Sequence, residues 1–340
     1  MKDKRQGETL TRLGMDVGTV STVVCDADGE LLFDEPSILL HQRTGGRGQR
    51  IAVGREAADL VGRMPPGMTA IRPVRRGVIT DLDTARSFLR MVVRQVLPRP
   101  WQRGRAQAVV GVPAGATLLE QRALLEVLEE SGIARAVAID EPVAGALGCG
   151  IDPMDRRVHM VVDVGGGTAE VSAFCFGGVL ASRSCRIGGG DMTVAVSRHV
   201  REHHHLMMGE IAAEQLTVRS GEVPDNTEIG IHGRDSDSGR PRSVTVEAGE
   251  LQAALAPIVA WLVRYLAGCL DDLPAQAIDD LAADGVVLVG GASRVRGIEQ
   301  ALEKAFGLPV KRAENPLTCV AEGAARAATA PGVLTAYGRG

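Results

Sequence analysis

Aromatic residues are scarce in this sequence: 2 Trp, 2 Tyr and 5 Phe among 340 residues, 3% of the chain. Its cores must therefore be Ala, Val, Leu and Ile packed around 42 glycines, a content that signals tight turns and close backbone approaches. Positive charge is not in excess. Lys and Arg number 38 against 42 Asp and Glu, for a net charge of −4, so the bulk attraction that serves a nucleic-acid binder is missing and no nucleic-acid partner is expected. The six cysteines (Cys25, Cys149, Cys175, Cys185, Cys269 and Cys319) include no CxxC pair. They read as buried or incidental thiols of a reducing cytosol, not as a disulfide frame or a zinc site. Residues 1–12 are charged and lack an apolar centre, so neither a secretory signal nor a membrane-binding amphipathic helix is expected there. The longest apolar stretch, 251–270, is interrupted by Gln252, Pro257 and Arg264 and followed by Asp271 and Asp272. A spanning helix wants ~20 clean apolar residues, so a buried helix of a soluble protein is expected instead.

The composition that is present, 45% hydrophobic and 24% charged, is that of a globular chain, and the length suits about two domains. Residues 13–25 read as strand, Gly-Thr turn, strand; Asp34-Glu35-Pro36 breaks that rhythm, and a Gly- and Arg-rich loop follows at 43–50. Phe88, Leu89, Val92, Val93 and Val96 share one face of a helix over 83–96, with Asp83 placed to cap it. A Pro/Arg loop around Trp101 comes next, then a buried strand at 108–112, a helix from about Thr117 to Gly132 and a strand at 136–139. The opening pattern then recurs: Asp163-Val164-Gly165-Gly166-Gly167-Thr168 stands in a strand–turn–strand unit, as Asp16-Val17-Gly18-Thr19 does earlier. A duplication at this spacing implies two similar α/β halves. The first half is 1–150 with a small insertion at about 34–77. The second is 151–330 with an insertion at about 188–258, made of a helix over 191–205, one near 211–217 and a polar segment to Arg242. Residues 331–340, rich in Gly, Pro and Thr, are expected to be a loose tail.

Glycine turns between strands expose consecutive N–H groups that bind phosphate oxygens, and Thr19 and Thr168 add hydroxyl donors. Asp16 and Asp163 would repel phosphate directly but can hold waters of a bridging Mg²⁺. One such turn is a weak signal. Two, joined by a third at Val289-Gly290-Gly291-Ala292-Ser293 where a flat purine could lie against the backbone, form a specific one.

The set resembles the actin–Hsp70–hexokinase group, and within it the bacterial actin family of rod-shape-determining proteins, MreB and Mbl. The likeness spans about residues 13–328. It includes Asp34-Glu35-Pro36-Ser37, Ala70-Ile71-Arg72-Pro73, Gly77-Val78-Ile79, Val112-Pro113-Ala114-Gly115-Ala116-Thr117, Glu141-Pro142, Arg186-Ile187-Gly188-Gly189 and Asn315-Pro316-Leu317-Thr318-Cys319-Val320. The resemblance implies an α/β, actin-like fold of two duplicated halves with a nucleotide cleft between them. It implies a slow ATPase coupled to polymerisation, with ATP (or GTP) and Mg²⁺ as cofactors, and cytoplasmic filaments at the inner face of the membrane that guide cell-wall synthesis and meet shape proteins. Phosphate contacts then fall on Thr19, Val20 and Ser21 and on Gly166, Gly167 and Thr168, with Asp16, Gly18 and Gly165 in the same cofactor-binding turns. Ribose and base contacts fall on Glu214, Gln215, Leu216 and Thr217 and on Gly290, Gly291, Ala292 and Ser293. Asp16 and Asp163 hold the metal through water, and Glu120, with Asp163, is assigned to catalysis as the residue that positions the attacking water.

Glu120 has a second reading, because Thr117-Leu118-Leu119-Glu120 is a T-x-x-E capping box that stabilises a helix start whatever else it does. Glu141 likewise reads as a helix-entry residue or as a second carboxylate in the cleft. The chain departs from the family pattern with Ser21 for Asn, Thr217 for Lys, and Gly-Gly-Ala-Ser-Arg in the third loop, which bears on affinity, base preference and turnover. Trp101 among Arg99, Arg103 and Arg105 has the composition of a membrane-surface loop or of an ordinary solvated one. His203-His204-His205 point about 100° apart on a helix and cannot chelate together, so a solvated helix end is expected. Arg72, Arg75 and Arg76 read as a surface or filament-contact cluster. Two rival functions are a nucleotide-binding adaptor that does not polymerise and a small-molecule kinase of the same fold.

Overall fold

The computed structural model describes residues 10–44 and 47–340. The N-terminal arm of 1–9, on which the absence of an amphipathic helix was expected, lies outside the described residues, as does the tip at 45–46 of the Gly/Arg-rich segment.

The first half opens with β1 (Thr11–Val17), β2 (Ser21–Asp26) and β3 (Leu31–Pro36). The small insertion follows as β4 (Leu39–Thr44), β5 (Arg47–Val53), α1 (Gly54–Leu60), β6 (Met68–Ile71), β7 (Val74–Arg75) and β8 (Val78–Ile79). Then come α2 (Leu82–Val96), the single turn α3 (Pro100–Arg103), β9 (Ala106–Val112), α4 (Leu118–Glu130), β10 (Arg135–Asp140) and α5 (Glu141–Gly148). The second half starts again with three strands, β11 (His159–Val164), β12 (Ala169–Cys175) and β13 (Gly178–Cys185). It continues through α6 (Gly189–His204), β14 (Leu206–Met207), α7 (Glu210–Glu222), β15 (Glu228–Asp235), β16 (Pro241–Glu247) and α8 (Ala248–Ala267). It ends with α9 (Ala275–Asp284), β17 (Val286–Val289), α10 (Ile298–Phe306), β18 (Val310–Arg312), α11 (Cys319–Thr329) and α12 (Pro331–Tyr337).

The duplication is visible in strand order. One sheet runs β10-β9-β1-β2-β3 and the other β18-β17-β11-β12-β13. In each, the first strand of the half pairs antiparallel with the second and parallel with a later strand. Even the register repeats: Asp16 stands opposite Val23, and Asp163 opposite Glu170. The central strands β9, β11 and β17 are runs of Val, Ala, Met and Leu because both of their faces are buried, whereas the edge strands β3, β13 and β18 are more polar.

Each half has its own core, built around Leu13, Met15, Phe88 and Val110 in the first and Val162, Met192, Leu255 and Leu288 in the second. A third apolar cluster, with Val109, Ile139, Val143, Val161, Phe174 and Val320, joins them. Each fully buried aliphatic side chain in these clusters contributes about 1.5–3 kcal/mol. Between the halves α5 crosses α11 at backbone distance. A Cβ on Gly323 would overlap the carbonyl of Ala144, and one on Gly148 would overlap the carbonyl of Cys319. This contact is where the abundance of Gly and Ala is spent.

Several local expectations need correction. Asp81, not Asp83, caps α2, accepting from Thr84 N at 3.1 Å. Asp34-Glu35-Pro36 does not end a strand early; it completes β3, whose outer edge tolerates a proline at its last residue. The described parts of the Gly/Arg-rich stretch are the strands β4 and β5, and α3 interrupts the loop around Trp101. The polar segment before Arg242 forms the β15–β16 hairpin, with Ile229, Ile231 and Val246 alternating inward. The tail is not loose. Tyr337 is buried with its hydroxyl donating to Pro153 O at 3.0 Å, Arg339 exchanges two backbone hydrogen bonds with Ala138, and its guanidinium meets Asp140 at 2.6 Å. The segment from Ala248 to Asp272 is long and apolar enough to cross a membrane by length and composition. Its Leu251, Leu255, Leu262 and Leu266 nevertheless sit in the second core, while Trp261 on the outer face is exposed and stacks on Tyr265. All six cysteines are free thiols.

Candidate functional site

The two glycine turns are built alike. Gly18 N donates to Ser21 O at 3.0 Å, and Gly165 N donates to Thr168 O at 2.9 Å. The turns face each other across the junction of the two sheets and touch: a Cβ on Gly166 would stand 2.5 Å from Val20 Cγ2, and one on Gly167 would overlap the Thr19 side chain. Thr19 Oγ1 accepts from Gly77 N at 3.1 Å, which pins the first turn to the small insertion. The start of α6 backs the second turn, with Gly189 N donating to Gly165 O at 2.9 Å and Gly190 N to Gly166 O at 2.7 Å.

Between the turns opens a cleft of about 1130 Å³, its mouth included. Asp16, Gly18, Thr19, Val20 and Ser21 line one side, Asp163 and Gly165 to Thr168 the other; Glu214, Thr217, Gly290, Gly291 and Ala292 line the remaining wall. Gly290 adopts φ +86°, and a Cβ there would overlap Asp163 Oδ1, so only glycine fits at that point. Ser293 is not on the wall: it is buried, and its hydroxyl donates to Gly290 O at 2.6 Å to close the third turn. Of the α7 residues, Gln215 faces solvent and Leu216 enters the second core, so neither lines the cleft, since helix periodicity turns Glu214, Thr217 and Val218 towards it instead. Thr217 donates its hydroxyl back to Ala213 O at 2.8 Å and brings no positive charge to the site.

The electrostatics of the floor are unusual. Asp163 is buried, and its Oδ1 has no hydrogen-bond partner. Burial and the negative charge of Glu170 raise its carboxyl to about 7. Asp16 is also pushed up to about 7, by burial and then by Asp163. Glu141, the first residue of α5, lines the same cleft; burial, reinforced by Glu170, Asp16, Asp163 and Asp140, holds it well above the usual range. Glu170 is fully buried behind them, accepting from Ala114 N at 2.8 Å and Ser184 Oγ at 2.6 Å. Carboxylates gathered this closely without a cation resist ionising together, and a bound divalent ion would remove that resistance.

Glu120 stands apart from this group. Its carboxylate accepts from Thr117 N at 2.8 Å in the capping box and from Arg186 at 2.7 Å. It lines a small recess next door that shares Val17, Gly77 and Glu141 with the cleft, but it does not line the cleft itself. Of the two helix-start glutamates, Glu141 lines the cleft and Glu120 does not. The spacing T-x-x-E announced the helix cap, and only the fold sets the distances.

Arg72 also differs from the sequence expectation of a surface cluster. Its side chain is mostly buried and binds Glu210 at 2.7 Å and Glu214 at 3.0 Å, with Thr19 O and Val20 O each at 3.3 Å. Arg76 reaches Asp191 at 3.1 Å.

The sequence matches the family model for MreB/Mbl protein over residues 10–334. The cell shape-determining protein MreB of Escherichia coli (strain K12) is 33% identical over 332 residues, covering 96% of this chain and 96% of that one. The crystal structure of MreB 5 of Spiroplasma citri bound to AMPPNP superposes with a TM-score of 0.84 at 26% identity, over 93% of this chain and 95% of that one. The MamK double helical filament shares the fold, with a TM-score of 0.77 at 21% identity, over 94% of this chain and 98% of that one.

Proposed function

The chain belongs to the MreB/Mbl family of actin-like, cell shape-determining proteins, and from that premise we propose that it binds a purine triphosphate, ATP or GTP, with Mg²⁺ between its two glycine turns. The observation that carries this reading is the pair of half-buried Asp16 and buried Asp163, with the unpartnered Oδ1 of Asp163 at the foot of two facing turns. The residues fit the group. The N–H groups of both turns supply an anion cradle, and two carboxylates raised to about 7 supply a cation site that needs few direct ligands. When bound, the metal neutralises phosphate charge.

The chain's own residues divide the remaining work. Thr19, Ser21 and Thr168 orient the phosphates, and the wall from Gly290 to Ala292 is low enough for a flat base. Glu141 is the carboxylate at the cleft floor able to orient a water, while Glu120 fastens the start of α4 to Arg186. Turnover is slow, as suits a timer for assembly. Subunits stack head to tail in a contact that does not close into a ring, which gives cytoplasmic filaments. The fold is that of the MamK double helical filament. Trp101, 57% exposed with the Arg99 guanidinium 5.9 Å from its ring centre, touches the membrane surface, where the filament meets cell-wall synthesis and shape proteins.

The direct test is calorimetric titration of the purified chain with ATP and GTP in the presence of Mg²⁺, alongside Asp163→Ala, followed by sedimentation. Binding lost in the variant and a nucleotide-dependent pellet support the reading. Unchanged affinity in the variant removes the assigned role of Asp163. Binding without any sedimentable polymer favours the adaptor.

A further inference from the structure

Far along α6 from the cleft, three metal-ligating groups meet. His199 Nε2 lies 2.6 Å from Glu250 Oε1, and His204 Nε2 lies 2.7 Å from the same oxygen. The three donor atoms are all within 4.8 Å of one another, the one such group of histidine, cysteine and carboxylate donors among the described residues. The tandem histidines do not make this cluster by being adjacent. His203 turns aside, stacking on His199 at 4.2 Å between ring centres with its Nδ1 3.1 Å from His199 O. His205 caps the helix in the left-handed conformation. The cluster instead combines two histidines five residues apart at a helix end with a carboxylate from the first turn of α8.

The geometry points to a site for a borderline transition-metal cation, Zn²⁺ above all, held by His199 Nε2, His204 Nε2 and the Glu250 carboxylate, with the remaining position open to solvent. Two imidazoles and one carboxylate are a common zinc donor set, whereas Mg²⁺ and Ca²⁺ prefer oxygen alone. This separates the cluster chemically from the aspartates of the cleft. Zinc bonds of ~2.0–2.2 Å in a tetrahedron place donor atoms roughly 3.3 Å apart. The two histidine–carboxylate separations must therefore open by about 0.6–0.7 Å as the cation replaces the shared protons, and the two imidazole nitrogens already lie within 4.8 Å of each other. The side chains can make that adjustment, being 18%, 21% and 36% exposed, and the exposure gives the cation a path in. A bound cation would fasten the end of α6 to the start of α8, just after the β15–β16 hairpin. The other end of α6 backs the second glycine turn.

The test uses the full chain, freed of metal with a chelator and without nucleotide. It is titrated with Co²⁺ by absorbance and with Zn²⁺ by calorimetry. One cation per chain, a Co²⁺ spectrum of nitrogen and oxygen ligands, and displacement of Co²⁺ by Zn²⁺ are expected. His199→Gln and His204→Gln should each weaken Zn²⁺ binding by more than about tenfold, and His203→Gln should leave it unchanged. Absence of binding, a thiolate charge-transfer band, or equal affinity in the His199→Gln/His204→Gln double variant would overturn the assignment. The wild-type spectrum decides between nitrogen and thiolate ligands even if a variant folds poorly.

Discussion

Arg72 and Glu214 form an ion pair at 3.0 Å that joins the two halves of the molecule beside the cleft. The same guanidinium reaches the carbonyls of Thr19 and Val20, so the first glycine turn and helix α7 are held by one side chain. Burial raises the Glu214 carboxyl above its usual range even with Arg72 lowering it. Arg72→Ala therefore leaves a half-buried carboxylate without its counter-charge and should cost about 2 kcal/mol of unfolding free energy. Chemical denaturation of Arg72→Ala and of Arg72→Ala/Glu214→Gln checks this, with the double variant recovering part of the loss. Glu210 is well exposed, and its loss alone should be nearly silent.

Glu141 and Glu120 make opposite predictions. Glu141→Gln should slow phosphate release by about a hundredfold with nucleotide still bound, as loss of a water-orienting group does. Glu120→Ala should leave turnover within about twofold and instead remove about 1 kcal/mol of stability, because it deletes the capping-box acceptor at the start of α4. Single-turnover phosphate release and thermal melting of both variants separate the roles, and the reverse pattern would restore Glu120 to the chemistry.

The carboxylates of the cleft floor set a pH dependence. Asp16 and Asp163 are raised from 3.8 to about 7, and Glu170 from 4.5 to about 7, in each case first by burial. A raised group takes up protons on folding, so its stabilising contribution is whole below its unfolded pKa and is lost as pH rises through about 7. Without Mg²⁺ and nucleotide, the stability supplied by these groups should fall between about pH 4 and about pH 7. Asp163→Asn should flatten the fall, so that its stability relative to wild type grows with pH. Denaturation curves of both proteins across this range provide the measurement.

Gly323→Ala should be severely destabilising, because the added methyl meets the Ala144 carbonyl and not a flexible side chain. A loss of more than about 3 kcal/mol, or failure to accumulate as soluble protein, is expected. Gly29→Ala is the contrasting case, with nothing near the added carbon but a φ of +86°. Its cost should stay at about 1–2 kcal/mol.

Trp101→Ala should reduce co-sedimentation with anionic vesicles several-fold while nucleotide affinity holds. The single turn α3 places the ring in solvent and away from the cleft wall. Equal vesicle binding in the variant would move the contact elsewhere.

What could be read from the sequence was whatever a short backbone motif dictates. The turns at Gly18 and at Gly165 to Gly167 announce themselves because glycine, threonine and a leading aspartate must be adjacent to do their work. The β15–β16 hairpin was missed: Ile229 and Ile231 alternate, as do Val244 and Val246, but the polar residues between them read as an irregular segment. Contacts between distant residues left no local trace. Arg72 meets partners 138 and 142 positions away, and Tyr337 and Arg339 anchor the tail on residues 184 and 199 positions earlier. Glu120 and Glu141 both begin helices, and nothing in their local spacing tells which one the fold carries to the cleft.

The glycine contact between α5 and α11 has a mechanical corollary. Carbonyl oxygens sit directly against Cα atoms at Gly148 and Gly323, so translating one helix along the other would drive backbone into backbone. Pivoting about the crossing meets no such obstacle. Any relative movement of these two helices should therefore be a pivot about their crossing and not a slide.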